Sequence, residues 1–114
     1  MANTFKLSSK AGVTSAAVIY TVASGTTIIL GLILGNTTTS QVTATVTLTS
    51  DTTARTANNN AANDTVELIT NAPIPAGSSL ELLAGNKVVL EATDSISVSA
   101  TGATDVALSY MEIT

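Results

Sequence analysis

The sequence predicts an all-β domain, an antiparallel β-sandwich or jelly roll of about eight strands. Three observations carry this. About one residue in five is Thr, and Val is plentiful; both carry two heavy atoms on Cβ, which suits a pleated, half-buried surface. Only 11% of residues are charged, so the Glu–Lys pairing of surface helices is almost absent. Short alternating runs are separated by turn residues at fairly regular intervals, with no competing helical period and no fixed repeat. The 114 residues make one domain, 1–114, long enough to bury roughly two-thirds of its unfolded surface.

Taken in order, Phe5-Lys6-Leu7 alternates, and residues 1–12 form either an N-terminal arm or a short first strand, broken by Ala11-Gly12. Ala17 to Ala23 is a strand with Val18, Tyr20 and Val22 on one face. Ser24-Gly25 is a tight turn, because Gly tolerates positive φ, and it joins this strand to the next as a hairpin. Thr26 to Leu34 is apolar on both faces and should be covered on both, one cover being the core and the other either the rest of the monomer or a neighbouring subunit. Asn36 to Ser40 is a polar turn. From Gln41 to Ser50, Val42, Ala44, Val46 and Leu48 alternate with Thr43, Thr45, Thr47 and Thr49, a half-buried strand. Asp51 to Asn63, with Asn58-Asn59-Asn60, is a long surface loop.

Thr65 to Thr70 is a strand with Val66 and Leu68 inward. Pro73-Ile74-Pro75-Ala76-Gly77 must turn, since prolines do not sit in a central strand. Leu80–Leu83 and Lys87–Ala92 are a hairpin across Ala84-Gly85-Asn86, and Thr93-Asp94 is a second turn. Ile96, Val98 and Ala100 alternate with Ser95, Ser97 and Ser99. In the last strand, Val106, Leu108 and Tyr110 face one way and Met111 and Ile113 the other.

Composition excludes several functions. The absence of Cys removes disulfides, thiolate nucleophiles and Cys-ligated metals, and the absence of His removes the commonest metal ligand and general base. Four basic against eight acidic residues give a net charge of -4, unsuited to a phosphate backbone, so no nucleic-acid partner is expected. The apolar region from Ala16 to Leu34 is interrupted by Ser24-Gly25-Thr26-Thr27, short of the ~20 residues of a membrane helix, and no membrane partner or secretory leader is expected.

Several constellations admit two readings. The row Thr43, Thr45, Thr47 and Thr49 could order water as ice-binding sheets do, but such sheets repeat the row on adjacent strands and only one strand shows it cleanly; a solvated strand face is preferred. Asp51, Asp64, Asp94 and Asp105 lie at turns, where carboxylates either gather around Ca²⁺ or bond their own backbone; the spacing favours the second. Glu67, Glu81, Glu91 and Glu112 could supply a glycosidase pair, but aromatic platforms for sugar are missing. Ser has no His base, and Lys6, Lys10 and Lys87 sit in no S-x-x-K context. No catalytic residue, cofactor site or metal site is therefore expected. Asn36-Thr37-Thr38 and Asn63-Asp64-Thr65 match the glycosylation pattern at chance level. The apolar strands supply the candidate oligomer or capsid interface: Ile28, Ile29, Leu30, Ile33, Leu34, Tyr110, Met111 and Ile113.

Ala72-Pro73-Ile74-Pro75-Ala76-Gly77-Ser78-Ser79-Leu80, Val88-Val89-Leu90-Glu91-Ala92, Asp94-Ser95-Ile96 and Leu108-Ser109-Tyr110-Met111-Glu112-Ile113 form one pattern. Ile19-Tyr20-Thr21-Val22, Gly25-Thr26-Thr27 and Leu32 to Asn36 add to it. From Val18 to Ile113 the chain resembles small virion structural proteins of tailed bacteriophages, marine and cyanobacterial phages above all; Asp51 to Asn63 fits least. The resemblance implies a non-enzymatic β-domain added to a capsid or tail. The expectation that follows is a capsid decoration or cement protein on the outer head surface, found in the virion after synthesis in the host cytoplasm. Its partners would be the major capsid protein or other virion proteins, with a homo-oligomer, a trimer above all, matching local three-fold symmetry. Ala2, Asn3, Thr4, Phe5, Lys6 and Leu7 would be an anchoring arm. The alternatives are a tail, collar or fibre component and a free-standing carbohydrate- or surface-adhesion module.

Overall fold

The computed structural model describes residues 3–50, 64–82 and 87–113. They form nine antiparallel strands in two packed sheets, with no helix among the described residues. The strands are β1 (Asn3–Val13), β2 (Ala17–Thr21), β3 (Thr26–Asn36), β4 (Val42–Ser50), β5 (Asp64–Ile74), β6 (Ser79–Leu82), β7 (Val88–Glu91), β8 (Ser95–Ala100) and β9 (Thr104–Ile113). The first sheet has the order β1-β9-β3-β6, with β7 also on β3; the second has the order β2-β8-β4-β5. Among sequential strands only β4 and β5 pair with each other. The other pairings join distant segments, β1 with β9 and β2 with β8 among them. The Ser24–Gly25 turn therefore joins β2 in one sheet to β3 in the other; it is a corner between sheets rather than a hairpin.

The core is what the two inner faces place between them. Ile29, Leu32, Leu34, Val106 and Leu108 from the first sheet meet Val42, Val46, Ile74, Ile96 and Val98 from the second, all nearly or wholly buried. The β4 and β8 alternations fall as the sequence predicts, with Thr43 to Thr49 and Ser95 to Ser99 on the outer side. Val106, Leu108 and Tyr110 share one face as expected, and that face is the inward one.

Bulges change the phase elsewhere. In β3, Ile29 pairs with Tyr110 and Gly31 with Ser109, so Leu30 is an extra residue. Thr27 and Ile29 face inward before it; Leu32, Leu34 and Asn36 face inward after it. The apolar character of both faces in sequence thus reflects, in part, one inward face that changes parity midway. In β2, Ile19 is the extra residue between Val18 and Tyr20. Val18 therefore sits opposite Ser97 on the outer side and is 60% exposed, while Ile19 is buried and Tyr20 turns inward opposite Ile96. The single face expected for Val18, Tyr20 and Val22 is divided by that bulge.

Four further expectations are revised. The first strand runs through Val13 and past Ala11-Gly12, because a bulge between Lys10 and Val13 absorbs the glycine, whose φ is +66°. Pro73 lies inside β5, opposite Thr43; β5 is an edge strand, whose free side needs no N–H. Val66 lies opposite Leu48 on the inner side yet is 46% exposed, near the start of that edge strand, and Leu68 packs half-buried against the core. Finally, β6 and β7 are no hairpin. Both run antiparallel to β3, β6 beside Leu32–Gly35 and β7 beside Thr26–Ile29, so together they make one edge.

Gly25 sits at the corner with φ +73°, and a Cβ there would lie 2.9 Å from the Ile113 carbonyl oxygen. Gly25→Ala is expected to lower stability by about 1–3 kcal/mol, measured by denaturant unfolding. A change within 0.5 kcal/mol would show that the corner relaxes freely.

Candidate docking faces

The two sheets turn unlike outer faces to solvent, and ladder pairing fixes which residues share each face. On the first sheet, one outer row reads Phe5, Met111, Ile28 and Val89 across β1, β9, β3 and β7. The next row towards the chain's other end reads Leu7, Ser109 and Gly31, and the one after it Ser9, Ala107, Ile33 and Glu81. Phe5 is 71% exposed, Leu7 64%, Val89 49% and Ile33 47%. Four of the six exposed large hydrophobic residues among those described therefore lie on this one face. At the Ile33 end, the small residues Ser9, Ala11, Gly35 and Ala107 line a shallow hollow of about 380 Å³ together with Ile33, Lys10 and Asp105. The Gly12 N–H donates to Asp105 Oδ1 at 2.9 Å and ties that carboxylate back to β1.

The outer face of the second sheet is a field of hydroxyls. Thr21, Ser95, Thr49 and Thr65 form one row across all four strands. Val18, Ser97, Thr47 and Glu67 form the next, and Ser99 lies beside Thr45. The row of Thr43, Thr45, Thr47 and Thr49 thus has neighbours on adjacent strands, but on β8 they are Ser, which lack the methyl group. Val18, Glu67 and Pro73 interrupt the array, and Thr45 Oγ1 is occupied by the Asn71 N–H at 3.0 Å.

Of the residues expected at an interface, Ile28, Ile33, Met111 and Ile113 share the apolar outer face, with Leu30 at its bulge. Ile29, Leu34 and Tyr110 lie in the core instead, at 0%, 0% and 8% exposure, because inward parity commits them to the opposite sheet. Asn3 to Leu7, expected as an arm, are paired along β9, and Ala2 lies outside the described residues. The sequence reading missed Val89 and the small residues of the hollow. The spacing Gly31-x-Ile33-x-Gly35 is the signal that was available for the latter.

Polar side chains close the ends of the sandwich. Lys6 Nζ lies 2.7 Å from Glu112 Oε1, and the Tyr20 hydroxyl donates to Glu112 Oε2 at 2.8 Å. That hydroxyl is also 3.0 Å from Thr27 Oγ1, and the Tyr20 and Tyr110 rings pack with centroids 4.2 Å apart. Hydrogen bonds from Lys6 and then Tyr20 hold Glu112 below the usual carboxylate range; the same bond to Glu112 raises Lys6. Burial pushes the Tyr20 hydroxyl up to about 12. At the opposite end Asn36 is buried, its Nδ2 donating to the carbonyls of Ser40, Ile74 and Pro75 while its Oδ1 accepts from Thr38 N–H and hydroxyl. Asn36 therefore belongs to the architecture and offers no exposed amide.

The carboxylates do not converge. Asp94 accepts from the Glu91 N–H at 2.9 Å within its turn. Glu67 is on the hydroxyl face, Glu81 and Glu91 on the apolar face's β6–β7 edge, and Glu112 on the inner side. No group of three or more potential metal ligands occurs among the described residues. Asp51, the Asp51–Asn63 loop and the Asp64 side chain lie outside the described residues.

Neither a family model nor a curated protein matches the chain. Among solved structures it is similar to a chain of Bacillus endospore appendages, a family of disulfide-linked pili, with 16% identity and a TM-score of 0.44, over 97% of this chain and 86% of that one. It is also similar to a chain of the T13 IBDV viral particle, with 11% identity and a TM-score of 0.40, over 96% of this chain and 35% of that one. This chain spans about a third of the latter's length.

Two outcomes are expected from the end clusters. Asn36→Ala removes the side-chain donor from the buried Ile74 carbonyl and from the part-buried Ser40 and Pro75 carbonyls and should cost about 2–3 kcal/mol, read by chemical denaturation. The Glu112 contribution to stability is present above its ordinary value of 4.5 and is lost as pH falls below that through its lowered folded value. The Tyr20 contribution is present below 10.0 and is lost as pH rises from there towards about 12, with Lys6 acting in the same sense. Thermal melts across pH should fall off at both ends, and Glu112→Gln should flatten the acid limb.

Proposed function

We propose that this chain is a non-enzymatic structural protein of a virion, a decoration or cement protein on the outer surface of a tailed-phage head. The observation that carries the reading is the contrast between its two outer faces. One is apolar and asks for a protein cover; the other is a field of hydroxyls suited to water. A subunit that adds to an assembly and leaves one face in solvent needs this division, and it needs no reactive centre. The resemblance of the strand-and-turn pattern to small phage virion proteins supplies the choice of particle.

The mechanism is mass action. A protein that binds the assembled shell and not its separated subunits stabilises the shell in proportion to occupancy. Symmetric shells present repeated sites, so a closed homo-oligomer gains by engaging several at once. A trimer suits local three-fold positions and a dimer local two-fold positions.

Quantitative mass spectrometry of purified virions, scaled to the major capsid protein, tests the proposal. Hundreds of copies per particle are expected. A handful would move the protein to the tail, collar or fibre, and none would overturn the virion reading in favour of an adhesion module. Shells stripped of the protein should also melt at lower temperature and recover on adding it back.

A further inference from the structure

We infer that the apolar outer face of the first sheet is covered by a second copy of this chain, packed face to face about a two-fold axis. The inference deepens the assembly part of the reading above by naming the partner, and it stands without the phage head. It rests on how the face is shaped. Bulky side chains, Phe5, Met111 and Ile28, occupy one end. The hollow lined by the small residues Ser9, Ala11, Gly35 and Ala107, together with Ile33 and Lys10, occupies the other. The row of Leu7, Ser109 and Gly31 lies between them.

A two-fold axis lying in the interface, across the strands at the level of that middle row, exchanges the two ends. It leaves each strand over its own copy. Phe5 of one copy then stands over the hollow beside β1 and β9 of the other, and the reverse contact follows by symmetry. Phe5 lies one row to one side of that line and the hollow spans the first and second rows on the other side, so the surface carries both a projection and a receptacle, as an isologous dimer requires. Nothing of this kind is required of a surface that docks on an unrelated protein.

Backbone and charge agree with this placement. Gly31 has nothing within 4 Å of where a Cβ would stand, and Gly35 has only the Asp105 carbonyl oxygen at 3.9 Å. Space above both glycines, rather than a crowded backbone, is what their small size provides here. Asp105, beside the hollow, is tied to β1 through Oδ1 by the Gly12 N–H. Glu81 and Glu91 sit at the β6–β7 edge, where a polar rim belongs.

The area is sufficient. Four strands at ~4.8 Å spacing and about ten residues at ~3.4 Å each make a face of roughly 650 Å². Two such faces bury roughly 1,300 Å², within the range of specific protein interfaces, about 1,200–2,000 Å². The expected arrangement is two sandwiches with their hydroxyl faces outward at both ends; the second copy is then the protein cover of the apolar face, and any contact with a shell falls outside that face.

Sedimentation equilibrium of the purified chain tests this, with circular dichroism confirming the fold of each variant. The wild type should sediment at twice its 11.4 kDa mass at micromolar concentration. Phe5→Asp removes the projection at a position 71% exposed, and Gly35→Leu fills the hollow at a position whose Cβ meets no crowding. Each should raise the dimer Kd at least tenfold while leaving the melting curve of the dilute monomer nearly unchanged. Thr47→Asp, on the opposite outer face, should leave Kd unchanged. A monomer at 100 µM, a trimer, or a dimer indifferent to both face variants would overturn the inference. Failure here leaves the copy number in virions untouched, and absence from virions leaves the dimer untouched, so the two readings fall separately.

Discussion

The pairing of β3 with β9 is the constraint on which the rest of the molecule depends. It runs from Thr26 opposite Ile113 to Asn36 opposite Thr104, and it carries one extra residue, Leu30. Because side chains alternate strictly along a strand, that one residue decides which apolar groups enter the core. Without the bulge, keeping Ile29 inward would send Leu32 and Leu34 outward and bring Gly31, Ile33 and Gly35 in. With it, Ile29, Leu32 and Leu34 are all buried, and the glycines open the hollow on the outer side. β1 extends the same ladder on the far side of β9, and β6 with β7 extends it beyond β3.

The topology adds a kinetic consequence. β1 must find β9 and β2 must find β8, and six of the eight connections cross from one sheet to the other. Chains dominated by such non-local pairing close large loops before contacts reward them, and they fold slowly. The sandwich ends are then fastened by polar groups, Lys6 with Glu112 and Tyr20 at one end and Asn36 at the other. An edge as long as β1 is also a hazard for edge-to-edge association. Lys6 and Lys10 on the strand, and the bulge at Gly12, work against that association.

The division between the outer faces follows from composition passed through register. Thr and Ser alternate with Val, Ala and Ile in β4 and β8, so the second sheet turns hydroxyls outward. In the first sheet the strands carry apolar residues at both parities, and the outward set has no described element over it. Such a face is the price of a strand pattern that is apolar throughout, and an assembly is the physical situation in which it is stable.

By itself the sequence determined the all-β class, the β4 and β8 alternations, that Val106, Leu108 and Tyr110 share one face, and the need for Gly25 at a turn. Each is a local property: side-chain parity and backbone freedom act within a few residues. Only the tertiary structure decided that Ser24–Gly25 is a corner between sheets, that β6 and β7 share one edge, and that Pro73 is tolerated in a strand. It also decided that Ile28, Ile33, Met111 and Ile113 share an outer face while Ile29, Leu34 and Tyr110 do not. Those facts depend on which distant strand lies alongside and where a bulge resets the phase. A period-two pattern records alternation along one strand, and it carries no information about the strand across the ladder.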